Sequence, residues 1–183
     1  RRSFADAIGQ KSEKYFQWVD DSVNKIDSLV TQVNGIEAIY DVEVTKDNQL
    51  IPFERLEKSL RLAIGELEEA NRVHVEEGHF ESSLWIKTDI AIVNDVVLEL
   101  IDNALKFSPA ESKVNVQIAY ANGYVSYSVT DEGIGVPVDE QPKIFDAFYR
   151  ASNVDARLGL GLGLFRAGHN ASILDGKIAV ISE

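Results

Sequence analysis

The sequence predicts an α+β fold, a sheet with helices on one face, preceded by a helical segment of different character. Three observations predict it. Phe16, Val19, Val23, Ile26, Val30 and Val33 recur at alternating spacings of three and four, a heptad seam. Between residues 89 and 107, Ile92, Val96, Leu100 and Ala104 mark the buried stripe of a second helix. Val114–Ile118 and Val125–Val129 alternate apolar and polar residues around Ala121-Asn122-Gly123, the pattern of a β-hairpin.

Taken in order, Phe4, Ala7 and Ile8 read as the tail of one helix, followed by the polar stretch Gly9–Lys14. The heptad seam comes next, with Asp20, Asp21, Lys25, Asp27 and Gln32 on its wet side and Gly35 as a stop signal. Two readings stay open for this segment. It is one amphipathic helix packed on its own domain, or half of an antiparallel hairpin that pairs with a second copy as a four-helix bundle. Asp41–Leu50 is polar and contains Asp47-Asn48, which places a linker at 42–50 between a helical unit at 1–41 and a second domain at 51–183. Pro52 suits a first helical turn, and Leu56, Leu60, Ile64 and Leu67 carry that helix to about Ala70. Arg72–Glu76, Ser83–Lys87 and Lys177–Ile181 read as short strands.

Composition excludes several classes of function. Of 183 residues 45% are hydrophobic, enough for a packed core. Thirty acidic against eighteen basic residues give a net charge of −12, the wrong sign for a binder of nucleic-acid backbone. Cysteine is absent, so disulfides and thiolate metal sites are excluded. No run of eighteen apolar residues and no signal peptide occur, so the chain itself predicts no membrane contact. Methionine is absent, even at position 1, and the sequence therefore reads as a fragment.

Four short motifs follow one another in the second half: Glu99-Leu100-Ile101-Asp102-Asn103-Ala104-Leu105-Lys106-Phe107, Asp131-Glu132-Gly133-Ile134-Gly135, Phe145-Asp146-Ala147-Phe148 and Gly159-Leu160-Gly161-Leu162-Gly163-Leu164. Glu99 and Asn103 stand four apart and share a helix face, with Lys106 three further on. An Asn oxygen can enter a magnesium shell, and a lysine offers a point charge to phosphate. A polar stripe on a surface helix has the same spacing. Asp131 directly follows a strand, and Gly133 and Gly135 let the backbone turn tightly; a buried carboxylate there accepts from an exocyclic amine such as adenine's. A plain turn uses the same residues. Phe145 and Phe148 sit on a short helical turn led by Pro142, with Arg150 just beyond, and aromatics so spaced are by default core. Gly159, Gly161 and Gly163 precede a helix-like segment, where backbone N–H groups and the helix dipole favour an anion.

In order and spacing these motifs closely resemble the N, G1, F and G2 boxes of sensor histidine kinases, relatives of the gyrase, Hsp90 and MutL ATPases. The resemblance implies a two-layer α/β sandwich with a mixed, mostly antiparallel sheet. It implies ATP and magnesium (Mg2+) as ligands, with the metal on Asn103, phosphate near Lys106 and the glycines 159, 161 and 163, and adenine read by Asp131. Phe107, Gly133, Gly135, Phe145, Phe148 and Arg150 complete the implied nucleotide site, the two phenylalanines anchoring a mobile lid over 151–158. Glu99 falls where the family carries a base. The implied activity is phosphoryl transfer from ATP to a histidine and on to an aspartate of a response-regulator receiver domain, in a cytoplasmic homodimer joined through the N-terminal helical segment. An ATPase clamp, an anti-sigma-type serine kinase and a degenerate module that only dimerises are the competing expectations.

This chain departs from the family pattern in places. Leu160 stands where the family usually has Ser or Thr, removing one hydroxyl contact to phosphate. None of His74, His79 and His169 is followed by an acidic residue or lies on the heptad helix, so all three read as structural. The acceptor histidine is expected just upstream of Arg1. One further strand that the family adds after Ile181 is missing.

Overall fold

The computed structural model describes residues 14–19, 22–23, 26, 47–76, 84–154 and 159–182. The chain divides into two compact units, Arg1–Val42 and Glu43–Glu183. In the first, residues 14–19, 22, 23 and 26 are helical. The seam residues Phe16, Val19, Val23 and Ile26 are exposed there, as are Tyr15 and Trp18. Val30, Val33 and the tail at Phe4–Ile8 lie outside the described residues.

The second unit opens with β1 (Gln49–Pro52), which pairs antiparallel with β3 (Trp85–Thr88), Ile51 facing Ile86. This strand starts inside the expected linker. Pro52, expected in the first helical turn, ends β1 in an extended conformation (φ −61°, ψ 138°) and stands as the cap before α1 (Phe53–Gly65). Proline's fixed φ suits either state, and the ribbon partner decides between them. Phe53, Leu56, Leu60 and Ile64 form the buried stripe of α1. The helix stops at Gly65, short of Ala70; Leu67 still packs against the core, and Ala70–Arg72 form one 3₁₀ turn before β2 (Val73–Val75).

Asp89 caps α2 (Ile90–Phe107), its Oδ1 accepting from the amides of Ala91 (2.9 Å) and Ile92 (3.3 Å). Its core-facing stripe is Val93, Val97, Ile101 and Leu105, with Ile92 and Ala104 also buried. The expected stripe is therefore turned by one residue: Val96 and Leu100 are only half-buried. Two adjacent stripes of this helix are apolar, and spacing alone does not say which becomes the centre of the contact.

β4 (Val114–Ala121) and β5 (Tyr124–Thr130) form the expected hairpin, paired from Asn115–Thr130 to Ala121–Tyr124. Asn122 and Gly123 both take positive φ (54° and 86°), the two-residue turn whose twist matches that of the strands. β2 joins β4 in parallel, giving a mixed sheet in the order β2-β4-β5. Val114, Val116 and Ile118 of β4 are buried, whereas Asn115 and Gln117 are exposed, so one face meets the helices. The α+β expectation holds.

Lys177–Ile181 does not become a strand. Alternation gives a segment two faces, but a strand also needs a ladder partner, and none pairs with it among the described residues. Ile181 is 96% exposed. The segment is held instead through Ser182, whose Oγ accepts from the Val136 amide (2.8 Å) and whose carbonyl accepts from Gln141 (3.1 Å).

Arg72 ties the end of α2 to the loop that follows. Its guanidinium donates to the carbonyls of Ser112 (3.1 Å), Pro109 (2.8 Å) and Leu105 (3.4 Å) and pairs with Glu69. The side chain is only 10% exposed. Arg72→Ala strands these carbonyls and should cost about 2–3 kcal/mol in urea denaturation. A loss below about 0.5 kcal/mol would show that water replaces the guanidinium freely.

Candidate functional site

The last turns of α2 are where the distant motifs meet. Glu99 and Asn103 occupy one face, as their spacing requires, and both are half-buried. Asn103 donates Nδ2 to the carbonyl of Glu99 (2.7 Å), which leaves Oδ1 as the amide atom it can present to a ligand. α3 (Gly163–Ile173) begins directly over this pair. A Cβ placed on Gly163 would meet Glu99 Oε2 and would lie 3.5 Å from Asn103 Nδ2. Only a glycine lets the first turn of α3 approach so closely.

One turn further along α2, Lys106 is exposed, its Nζ 5.3 Å from the centre of the Phe107 ring. A Cβ on Gly159 would lie 2.9 Å from the same ammonium. The glycine-rich turn thus runs from Lys106 to Glu99 along a single helix face. Gly159 and Gly161 hold positive φ (80° and 75°), values that side-chain-bearing residues rarely adopt.

At the end of α2 the Asp131–Gly135 loop closes the other side. The carbonyl of Phe107 accepts from the Ile134 amide (3.3 Å), and a Cβ on Gly133 would stand 2.9 Å from that oxygen. Asp131 Oδ1 accepts from the Gly133 amide (2.8 Å) and from Ser108 Oγ (3.5 Å). Asp131 is exposed, not buried as expected: it directly follows β5, and its carboxylate caps its own loop at the Gly133 amide and does not pack into the core.

The Phe145–Phe148 segment is a run of turns after the 3₁₀ turn Gln141–Lys143 and not a helical turn. Phe145 is half-buried beside Gly168 on α3. Phe148 departs from the core expectation. It is 59% exposed, with a left-handed backbone (φ 65°) that is costly for a bulky residue. Its amide donates to the carbonyl of Gly161 (3.0 Å), joining this motif to the glycine-rich turn. Arg150 lies alongside, its Cγ 3.1 Å from where a Cβ of Gly161 would be. Leu160 is half-buried in the same turn.

Two residues of this region escape sequence reasoning. Arg166 forms an ion pair with Glu99 from α3, and nothing local to either residue announces it. Glu140 accepts from the amide (2.8 Å) and hydroxyl (2.5 Å) of Ser152 and from Tyr149 (3.1 Å). The Ser152 hydroxyl and amide hold its carboxyl below the usual range, and the cluster fixes the start of the expected lid. Lid residues 155–158 lie outside the described residues, as does His79. His74 is exposed on β2 and His169 half-buried on α3, and neither belongs to this cluster.

Comparison with known proteins bears on the family and the fold. Residues 88–183 match the profile of the family described as histidine kinase-, DNA gyrase B- and HSP90-like ATPase. The chain is similar to the sensor protein KdpD of Clostridium acetobutylicum, 32% identical over 56% of the chain and 12% of that protein. It is also similar to the signal transduction histidine-protein kinase ArlS of Staphylococcus haemolyticus, 28% identical over 89% of the chain and 36% of that protein. The chain thus spans a small part, up to about a third, of the length of these relatives. Among solved structures, full-length ShkA in complex with AMPPNP superposes with a TM-score of 0.66 at 20% identity, covering 88% of the chain and 34% of that protein. The Acinetobacter baumannii histidine kinase AdeS superposes with a TM-score of 0.65 at 18% identity, covering 92% and 77%. These superpositions bear out the fold, and the relatives' names bear out the likeness to sensor histidine kinases.

Proposed function

Because the chain belongs to the family of histidine kinase-, DNA gyrase B- and HSP90-like ATPases, we propose that it binds magnesium–ATP and acts as the catalytic part of a sensor histidine kinase. One observation carries the reading: the Asp131–Gly135 loop and the glycine-rich turn both close on the last turns of α2, at Phe107, Lys106, Asn103 and Glu99, and the Phe148 amide ties the third motif to that turn.

In this reading Asp131 accepts from the exocyclic amine of adenine, beside Gly133, Gly135 and Phe107. Lys106 and the backbone of Gly159, Gly161 and Gly163 hold the phosphates at the start of α3, where the helix dipole favours an anion. Asn103 would hold magnesium through Oδ1, a hard oxygen donor of the kind that cation takes. When bound, the metal supplies charge neutralisation of the phosphates. Glu99 polarises the attacking group, and Phe145, Phe148 and Arg150 brace the lid over the site.

The reaction is an in-line transfer: a histidine nitrogen forms a bond to the γ-phosphorus as its bond to the bridging oxygen breaks and ADP leaves. The protein contributes position and electrostatics. The phosphoryl group then passes to an aspartate of a response-regulator receiver domain. The exposed helical residues Phe16, Val19, Val23 and Ile26 serve the homodimer contact, and the acceptor histidine belongs to the dimerisation domain and is none of His74, His79 and His169. Among the described residues no helix is long and apolar enough to cross a membrane. The reading puts the domain in the cytoplasm, where ATP and receiver domains occur.

The test is incubation with labelled ATP and magnesium. The chain alone should take up no acid-labile phosphate. With a separate helical hairpin bearing an acceptor histidine it should label that hairpin slowly, because docking is then bimolecular. Label on His74, His79 or His169 would refute the assignment of the acceptor. Steady hydrolysis without transfer would favour an ATPase clamp with Glu99 as base.

A further inference from the structure

Arg166 belongs to none of the four motifs, yet its guanidinium pairs with Glu99, the carboxylate that the functional reading uses as a base. The partners come from different helices. Glu99 is only 17% exposed and Arg166 44% exposed, so this is not a loose surface pair of the kind that contributes little. The carboxylate is held from two directions. Oε1 takes the guanidinium, while Oε2 is wedged against the backbone of Gly163, where any Cβ would meet it. Arg166 sits three residues after Gly163, and helical side chains lean back over the preceding turn, so the guanidinium covers the glycine-rich start of α3. Asp95, one turn earlier on α2, also feels this charge: burial raises its pKa and Arg166 pulls it back down.

A carboxylate at this place creates a problem for the proposed ligand. It lies at the start of α3, where the phosphates of a nucleotide would sit, and two like charges there repel. We infer that Arg166 is a positioning residue that clamps Glu99 against the first turn of α3 and screens its charge from the phosphates of bound ATP. The screening half of this inference rests on the nucleotide reading above; the clamp does not.

The two halves are tested on the whole chain with R166Q, R166K, E99Q and the double variant R166Q/E99Q. In nucleotide-free protein, hydrogen exchange of the amides of residues 167–169, which bond to the first turn of α3, should quicken about tenfold in R166Q, the loss expected when one charge-assisted contact is removed. In calorimetry with magnesium–ATP, R166Q should bind about tenfold more weakly, while R166K stays within about threefold of the unaltered chain. The decisive result is the double variant, expected to return to within about threefold, because the charge that needed screening is gone. A purely structural role for Arg166 would leave the double variant as weak as R166Q, and that result overturns the screening. Unchanged exchange in R166Q overturns the clamp. If the unaltered chain fails to bind ATP, the functional reading falls, and the exchange measurement still decides the clamp.

Discussion

Asn103→Ala should abolish magnesium-dependent ATP binding while the chain remains folded. The side chain is half-buried on the face of α2 that meets the glycine-rich turn, and it donates a hydrogen bond to the carbonyl of Glu99 in the preceding turn. Losing that bond costs little, because alanine is the better helix former. What disappears is the amide oxygen assigned to magnesium. Replacing groups that merely support a metal ligand commonly costs ten- to a hundredfold in affinity, so loss of the ligand itself should cost about a hundredfold or more. Calorimetry with ATP, in magnesium and in chelator, measures this directly, and thermal denaturation should show a midpoint within about 2 °C of the unaltered chain. Near-normal affinity for magnesium–ATP would remove Asn103 from the site.

Gly161→Ala should damage both fold and binding. Gly161 holds φ +75°, and an added Cβ would collide with the carbonyl of Tyr149, 3.0 Å from the carbonyl carbon of Phe148 and 3.1 Å from Arg150 Cγ. Two of these are backbone atoms and cannot swing away. The amide of Phe148 donates to the carbonyl of Gly161, so any shift also strains a residue that already holds a costly left-handed conformation. Backbone incompatibility together with overpacking should destabilise by about 2–4 kcal/mol in urea denaturation, with ATP binding lost in whatever remains folded. Gly65→Ala is the control. Nothing lies within 4 Å of its Cβ position at the end of α1, and the change should be neutral or slightly stabilising. Equal effects at the two positions would mean that the glycine-rich turn adapts more easily than its contacts imply.

Local chemistry made much of this architecture legible. The β4–β5 hairpin follows from Asn122-Gly123, which alone dictates the turn, and the start of α2 from Asp89, which caps it through its own side chain. Features set by tertiary choice were not legible in the same way. Val93, Val97 and Ile101 lead the core face of α2 instead of Val96 and Leu100, because both stripes are apolar and the packing partner decides between them. Lys177–Ile181 alternates like a strand yet pairs with no neighbour among the described residues. Pro52 fits strand or helix and took the strand because β3 is there.

The candidate site divides along the same line. Glu99, Asn103 and Lys106 share a face through helix geometry, and the positive φ of Gly159 and Gly161 fulfils what their glycines suggest. The exposure of Asp131 depends on which way the loop leaves β5, and the Glu99–Arg166 pair depends on where α3 docks, which no local pattern encodes.

That four separated motifs form one nucleotide site is the central claim, and titration of the unaltered chain with ATP tests it most directly. Heat of binding should appear with ATP in magnesium, shrink in chelator, and be weaker by about tenfold or more with GTP, whose base lacks the amine that Asp131 would accept from. No heat with ATP in magnesium, or GTP bound as tightly as ATP, would contradict it.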